Sequence, residues 1–182
     1  MPANVKQFTP TQTTAAMQKL AEAYVNKCIT NLQQDGHDAT GRLVSSIKIL
    51  PPVITGSSIL IPITALEYFN YLDKGVRGTQ GGAGQYSFKA NMPSQQMVSS
   101  IMAWMRTKSI TARTGKTTVH AMAAKQNSIS SRQSLAFAIA RSVLQKGITP
   151  TGFAGKAMQA VQQQMPGILG NAVAADIIEL LV

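Results

Sequence analysis

The sequence predicts an α+β fold in which a small antiparallel β-sheet packs with an N-terminal helix and C-terminal helices, interrupted by long loop excursions. Three observations predict it. Apolar residues recur at helical spacing over residues 11–34, β-rich runs punctuated by Pro and Gly occupy 41–64, and helical spacing returns after residue 94. With 182 residues, 45% of them hydrophobic, the chain is long enough to bury a core. A single domain over 1–182 is expected, with an N-terminal arm at 1–10, extended loops at 78–93 and 107–131, and a helical region at 154–182.

Met17, Leu20, Ala21, Tyr24, Cys28 and Leu32 form a 3.6-residue stripe between Thr11 and Gln34, and Gly36 stops it. "GRLVSSIKIL", "PPVITGSS" and "ILIPIT" read as two β-rich runs joined by a Pro and Gly connection, hence a hairpin. "LEYFNYLDKG" follows as a third strand or a short helix. "YFNYLDKGVRG" then passes from aromatic to charged and glycine-punctuated, which predicts a sharp turn at Gly75 and Gly78, with positive φ at one of them. Residues 78–93 hold Gly78, Gly81, Gly82 and Gly84 and few aliphatic side chains, so the segment is expected to lack anchorage in the isolated chain.

Ser94 is placed to cap a helix that carries Met97, Ile101, Trp104 and Met105 on one face. The stretch 107–131 is polar and poorly periodic, an exposed insertion. "QSLAFAIARSVLQKG" is a helix with Leu135, Ala138, Ile139, Ser142 and Val143 on one side, closed by Lys146 and Gly147. The rest reads as two helices broken at Pro166–Gly167, and its end, "DIIELLV", is apolar enough to need a partner surface. No period of 20–50 residues repeats, which argues against a solenoid.

Seventeen Lys and Arg face seven Asp and Glu, a formal charge of +10. The excess is uneven: +2 over residues 1–66, +9 over 67–149 and −1 over 150–182. A polyanion or an acidic protein surface would be drawn to the middle of the chain. Cys28 is the sole cysteine, so an intrachain disulfide and a Cys-rich metal site are excluded. There is no basic start followed by an apolar signal core and no apolar run long enough for a membrane, so a chain made and kept in the cytosol, away from membranes, is expected.

Chemistry-bearing patterns are scarce. "RTGKTT" resembles the end of a phosphate-cradling loop, but the position that must be glycine is Ile110, so it reads as a basic exposed loop. His37 and His120 lack acidic or cysteine companions at metal-ligand spacing. Asp35 and Asp38 flank Gly36 at a helix end and turn, and Cys28 lies on an apolar stripe as a buried thiol. No Gly-x-Ser-x-Gly elbow occurs. The expectation is a protein with no catalytic residue, cofactor or metal. Met97, Ile101, Trp104 and Met105 read as core or interface filling, and Tyr68, Phe69 and Tyr71 as strand-face packing in preference to base stacking. Arg77, Lys89, Arg106, Lys108, Arg113, Lys116 and Lys125 are either a solvated face or an anion contact; Lys89, Arg113, Lys116 and Lys125 are the candidates for touching nucleic acid or an acidic partner.

The order of the segments resembles the neck, head-to-tail connector and tail-completion proteins of tailed bacteriophages, small subunits that form rings below the portal. The resemblance spans roughly residues 10–160. It rests on Gly41, Arg42, Leu43, Ser46 and Ile47, which in that family open the sheet; on Tyr68, Tyr71, Leu72, Gly75, Arg77 and Gly78, which close it; and on Lys146, Gly147, Ile148, Pro150 and Phe153, which lead to the last helix. It implies a virion subunit made in the host cytoplasm that joins portal or head to tail. Its partners would be copies of itself in a ring, the portal or adjacent connector and tail proteins, and packaged DNA touched without sequence preference. Tyr68, Tyr71, Asp73, Gly75, Arg77, Gly78 and Phe153 become the candidate assembly residues. The alternative is a cytosolic basic DNA-binding protein, distinguished by an affinity that collapses as salt rises.

Overall fold

The computed structural model describes residues 10–36, 40–55, 58–111 and 129–181. The fold is α+β, with seven helices and small sheets among the described residues. The chain groups into two compact units. The first comprises 1–37, 42–66 and 153–182, the second 38–41 and 67–152.

The first unit is built on α1 (Thr11–Gln34), which packs against α6 (Phe153–Gln162) and α7 (Met165–Leu181). Its core comes from Ala16, Leu20, Val25, Cys28 and Leu32 of α1, which meet the α6 face of Phe153, Ala154, Ala157 and Val161. Of the expected α1 stripe, Leu20, Cys28 and Leu32 are buried, while Met17, Ala21 and Tyr24 are half-buried and line a cleft. The buried Asn31 is satisfied, its Nδ2 donating to Phe153 O at 3.0 Å.

"GRLVSS", expected to open the sheet, instead forms α2 (Arg42–Ser46). Ser45 and Ser46 hydroxyls donate to the carbonyls of Arg42 and Leu43, three residues back, so local side-chain bonds outbid the strand tendency of one valine. The hairpin is present as a single ribbon in two pieces. β1 (Lys48–Ile49) pairs antiparallel with β4 (Ile63–Thr64), and β2 (Val53–Thr55) with β3 (Ser58–Leu60). Between them, residues 50–52 face only 61–62, a one-residue bulge placed where Pro51, Pro52 and Pro62 have no N–H to give the ladder. The break between the last two helices falls at 163–164, earlier than the expected Pro166–Gly167. Pro166 sits in the first turn of α7, where its missing N–H has no partner within the helix.

The second unit packs α4 (Gln95–Thr107) against α5 (Ile129–Lys146). Ser94 caps α4 as expected, its Oγ accepting from Met97 N at 3.2 Å. The contact centres on Val98 and Met105 of α4 and on Ala136 and Ala140 of α5, both 0% exposed. Two alanines one turn apart let the helix axes approach closely, and Met97, Ile101, Leu135 and Ile139 close over the seam. Trp104, expected on that face, is 39% exposed, and Ala138 is exposed beside the buried Ala136, Ala140 and Leu144. "YFNYLDK" folds as α3 (Tyr68–Lys74), which settles the strand-or-helix alternative and corrects the strand-face reading of its aromatic residues. The sheet of this unit has order β6-β5-β7, from β6 (Tyr86–Ser87), β5 (Val76–Arg77) and β7 (Gly147–Ile148), with β5–β6 parallel and β5–β7 antiparallel.

Candidate functional site

Two helices of the second unit end the same way. α3 runs through Gly75 into β5, and α5 runs into β7 at Gly147, and the two strands pair as Val76↔Ile148 and Arg77↔Gly147. A helix leaves its last carbonyls without intrahelical donors. Each helix here finds them on a distant segment. Thr79 N and Gln80 N donate to Leu144 O and Gln145 O of α5, while Thr151 N, Gly152 N and Gln85 N donate to Leu72 O, Asp73 O and Lys74 O of α3. The Thr151 hydroxyl adds a second bond to Leu72 O at 3.0 Å.

The backbones must approach closely for this. Gly75 has φ 72° and ψ 167°, a region essentially reserved for glycine, and an added Cβ would lie 2.7 Å from Ile148 O and from Pro150 N. At Gly78 a Cβ would overlap Gln145 O. The expected turn is therefore real, with positive φ at Gly75. The segment expected to lack anchorage is hydrogen-bonded through much of 79–88, because its N–H groups cap α5 and its remainder adds β6 to the sheet. Gly82 and Gly84, read from sequence as loop glycines, are as close to neighbouring backbone as Gly78 is.

The candidate assembly residues divide accordingly. Tyr68 and Arg77 are exposed, and Gly75 and Gly78 are held at the helix–strand junction. Tyr71 donates its phenol to Glu67 Oε1 at 2.8 Å and meets the Tyr86 ring edge-on at a centroid distance of 4.8 Å. The hydrogen bond to Glu67 and that carboxylate's charge raise the Tyr71 pKa above its ordinary 10.0. Asp73 is half-buried, and its carbonyl takes the Gly152 N–H at 3.0 Å. Phe153 is the correction. It is 0% exposed in the core of the first unit, where it offers no surface to a neighbour. Of the anion-contact candidates Lys89 is exposed, while Arg113, Lys116 and Lys125 lie outside the described residues, as do His37, Asp38 and His120.

Among the described residues, exposed apolar side chains concentrate in the first unit. Val53, Ile54 and Leu60 are exposed on the ribbon, and Val173, Ile177, Ile178, Leu180 and Leu181 on α7, with Leu181 at 79%. Between ribbon and helices lies an apolar cleft of about 340 Å³ lined by residues that include Leu20, Tyr24, Leu60, Ile63, Met158 and Leu169.

Sequence reading missed Asp176. It lies on α7 yet is 3% exposed, and its carboxylate accepts from Gln12 N and Thr13 N at 2.8 Å each and from Thr13 Oγ1 at 2.6 Å. α1 has Pro10 at its N-cap, which supplies no side-chain bond, so Asp176 serves as the cap from more than 160 residues away. Burial pushes the Asp176 pKa up, but the hydroxyl and N–H of Thr13, the N–H of Gln12 and the Thr11 side chain outweigh it and hold the carboxyl below its ordinary 3.8. The only local signal was a carboxylate inside an apolar run, which is also how an exposed aspartate looks.

Among the described residues no three His, Cys, Asp or Glu side chains gather as a metal site, and no helix is long and apolar enough to cross a membrane. Comparison with protein-family models, curated proteins and solved structures found no match.

Proposed function

We propose that the chain is a structural subunit of a bacteriophage neck or tail ring that joins portal or head to tail, a virion protein without catalytic activity that assembles through contacts with its own copies and with adjacent connector or tail proteins. The observation that carries the reading is the exposed apolar surface of the first unit among the described residues. A two-stranded ribbon is marginal in water by itself. This one displays Val53, Ile54 and Leu60 to solvent, beside an apolar cleft and a helix whose last turns expose Ile177, Ile178, Leu180 and Leu181. Patches of that kind mark surfaces that another protein covers. A subunit contacted on two different faces satisfies what a head-to-tail ring requires. The segment order described above supplies the choice of a phage neck over other assemblies.

Native mass spectrometry and negative-stain imaging of the purified chain, alone and mixed with a portal ring, test this. Discrete rings in either preparation are the expected result. A monomer that stays monomeric in both overturns it.

The second reading, a basic DNA-binding protein, is favoured by one observation. The second unit carries eleven Lys and Arg against three Asp and Glu, a formal charge of +8. Tight, sequence-selective DNA binding by the monomer at physiological salt would make it the better account, whereas a ring subunit lining a DNA conduit binds weakly and without preference, with Kd about 10⁻⁴ to 10⁻⁶ M.

A further inference from the structure

We propose that the exposed face of the β6-β5-β7 sheet binds the phosphate backbone of nucleic acid without reading its sequence. Strand register sets the face. Arg77 of β5 pairs with Ser87 of β6 on one side and with Gly147 of β7 on the other, and paired positions project to the same side of a sheet. Burial alternates in step: Val76 is buried and Arg77 exposed, Tyr86 and Phe88 are half-buried, and Gln85, Ser87 and Lys89 are exposed. Phe88 N donates to Arg77 O at 3.0 Å, so the parallel ladder runs past the end of β6 and carries Lys89 onto the face of Ser87. Two residues along one strand and one strand across put the Cα atoms of Arg77 and Lys89 about 8 Å apart.

The chemistry of this face selects its partner. Residues 74–89 and 144–152, the three strands with the chain that enters and leaves them, hold Lys74, Arg77, Lys89 and Lys146, all exposed, and no acidic residue. Cations joined by hydroxyl and amide side chains, here Ser87 and Gln85, are the groups that contact phosphate backbones. Gly147 beside Arg77 has no side chain, which leaves that flank of the guanidinium open to an oxyanion, and a guanidinium matches phosphate oxygens two at a time. An acidic protein fits less well. Protein interfaces are anchored on aromatic and other apolar side chains, and Arg77, Gln85, Ser87 and Lys89 include none. Base stacking fails on the same ground, because Tyr86 and Phe88 belong to the opposite face, where Tyr86 meets the Tyr71 ring. Contact with phosphates remains, and a few neutralised phosphates give a weak, salt-sensitive affinity. The inference holds whether or not the chain forms rings.

The test is titration of a short labelled DNA duplex with the full chain, read by fluorescence anisotropy and repeated between about 50 and 200 mM salt. Wild type should bind with an affinity that falls as salt rises, and duplexes of different sequence should bind alike. Arg77→Ala and Lys89→Ala should each flatten the plot of log affinity against log salt by about one unit of slope, the signature of one lost phosphate contact. Arg77→Lys keeps the charge and should keep the slope. Arg141→Ala removes the same charge from an exposed position on α5 and should leave the slope unchanged. Absence of salt-dependent binding by wild type overturns the proposal. So does an unchanged slope in the two alanine variants of the face, or a slope flattened as much in Arg141→Ala, which would mark diffuse attraction to the net charge. Displacement of the duplex by polyglutamate as effectively as by unlabelled duplex overturns it in favour of an acidic protein. Lys89 lies beyond the last residue of β6, so Lys89→Ala keeps the test decisive where Arg77→Ala disturbs the sheet.

Discussion

Replacing Gly75 with Ala puts the helix–strand junction to a quantitative test. At φ 72° and ψ 167° a non-glycine residue carries a backbone cost of about 1–3 kcal/mol. The added Cβ also comes within 2.7 Å of Ile148 O and of the Pro150 ring, neighbours that are main chain or proline and cannot swing aside. Forcing an extra methyl into a packed site adds typically ~1–3 kcal/mol. Gly75→Ala should therefore cost about 2–6 kcal/mol, a large fraction of the stability of an ordinary domain. Gly152 is the matched control. It lies in the same unit with φ 63°, and a Cβ added there would meet nothing within 4 Å, so Gly152→Ala carries only the backbone term, about 1–2 kcal/mol. Urea unfolding of the two variants and the parent, read by circular dichroism and fitted with a common m-value, gives both differences. A Gly75→Ala cost within about 0.5 kcal/mol of the Gly152→Ala cost would refute the close approach of β5 and β7, since backbone strain alone would then explain both.

Other expected outcomes are more direct. Asp176→Asn should lower the melting temperature at neutral pH by weakening the cap on α1. Because the folded carboxyl titrates below its ordinary 3.8, its contribution is present above that pH and is lost as pH falls through the lower folded value, so the parent's acid unfolding should be steeper than the variant's. Ala140→Leu overpacks the α4–α5 contact, where Ala140 is 0% exposed, and should cost about 1–3 kcal/mol by denaturant unfolding. Ser109→Gly should stabilise the free chain by about 1 kcal/mol, because Ser109 holds a left-handed φ of 53°. Spectrophotometric titration should show Tyr71 ionising at higher pH than in a Glu67→Gln variant, since Glu67 supplies both the hydrogen bond and the charge that raise it.

What the sequence made legible was periodic and local. α1 matches its expected bounds of Thr11–Gln34, the Ser94 cap is in place, and α5 ends at Lys146 before Gly147, because each signal lies within one or two turns of the residue it governs. α2 and α3 were read partly or wholly as strand because β-branched and aromatic residues favour a pleated surface only when a sheet is there to receive them. Ser45 and Ser46 bond backward within α2, and Tyr71 reaches Glu67 one turn away, so both segments close on themselves. The anchorage of 79–88 was invisible for another reason. Its partners are the carbonyls of Leu144 and Gln145, and nothing in a glycine-rich stretch names the helix end more than sixty residues ahead that it will cap.

α7 shows how one failure of sequence reading bears on function. In a helix that completes its own domain, apolar residues face inward and the carboxylates face water. Here Asp176 is the buried residue, held by three donors from the start of α1, and Val173, Ile177, Ile178, Leu180 and Leu181 are the exposed ones. Natural sequences agree with their folds level by level, and they break the pattern where something outside the fold is served. The inner side of the helix is fully accounted for, since Asp176 has its donors and no buried polar side-chain atom among the described residues lacks a partner. The conflict therefore lies wholly on the outer side. Replacing Ile177 and Ile178 with Gln leaves every bond to Asp176 intact, so the monomer should fold with little change in melting temperature, and the ring-subunit proposal requires that ring formation, read by native mass spectrometry with the portal present, be lost. Rings that form as well from that variant as from the parent would remove the apolar outer face from the assembly surface and leave the ribbon to carry it.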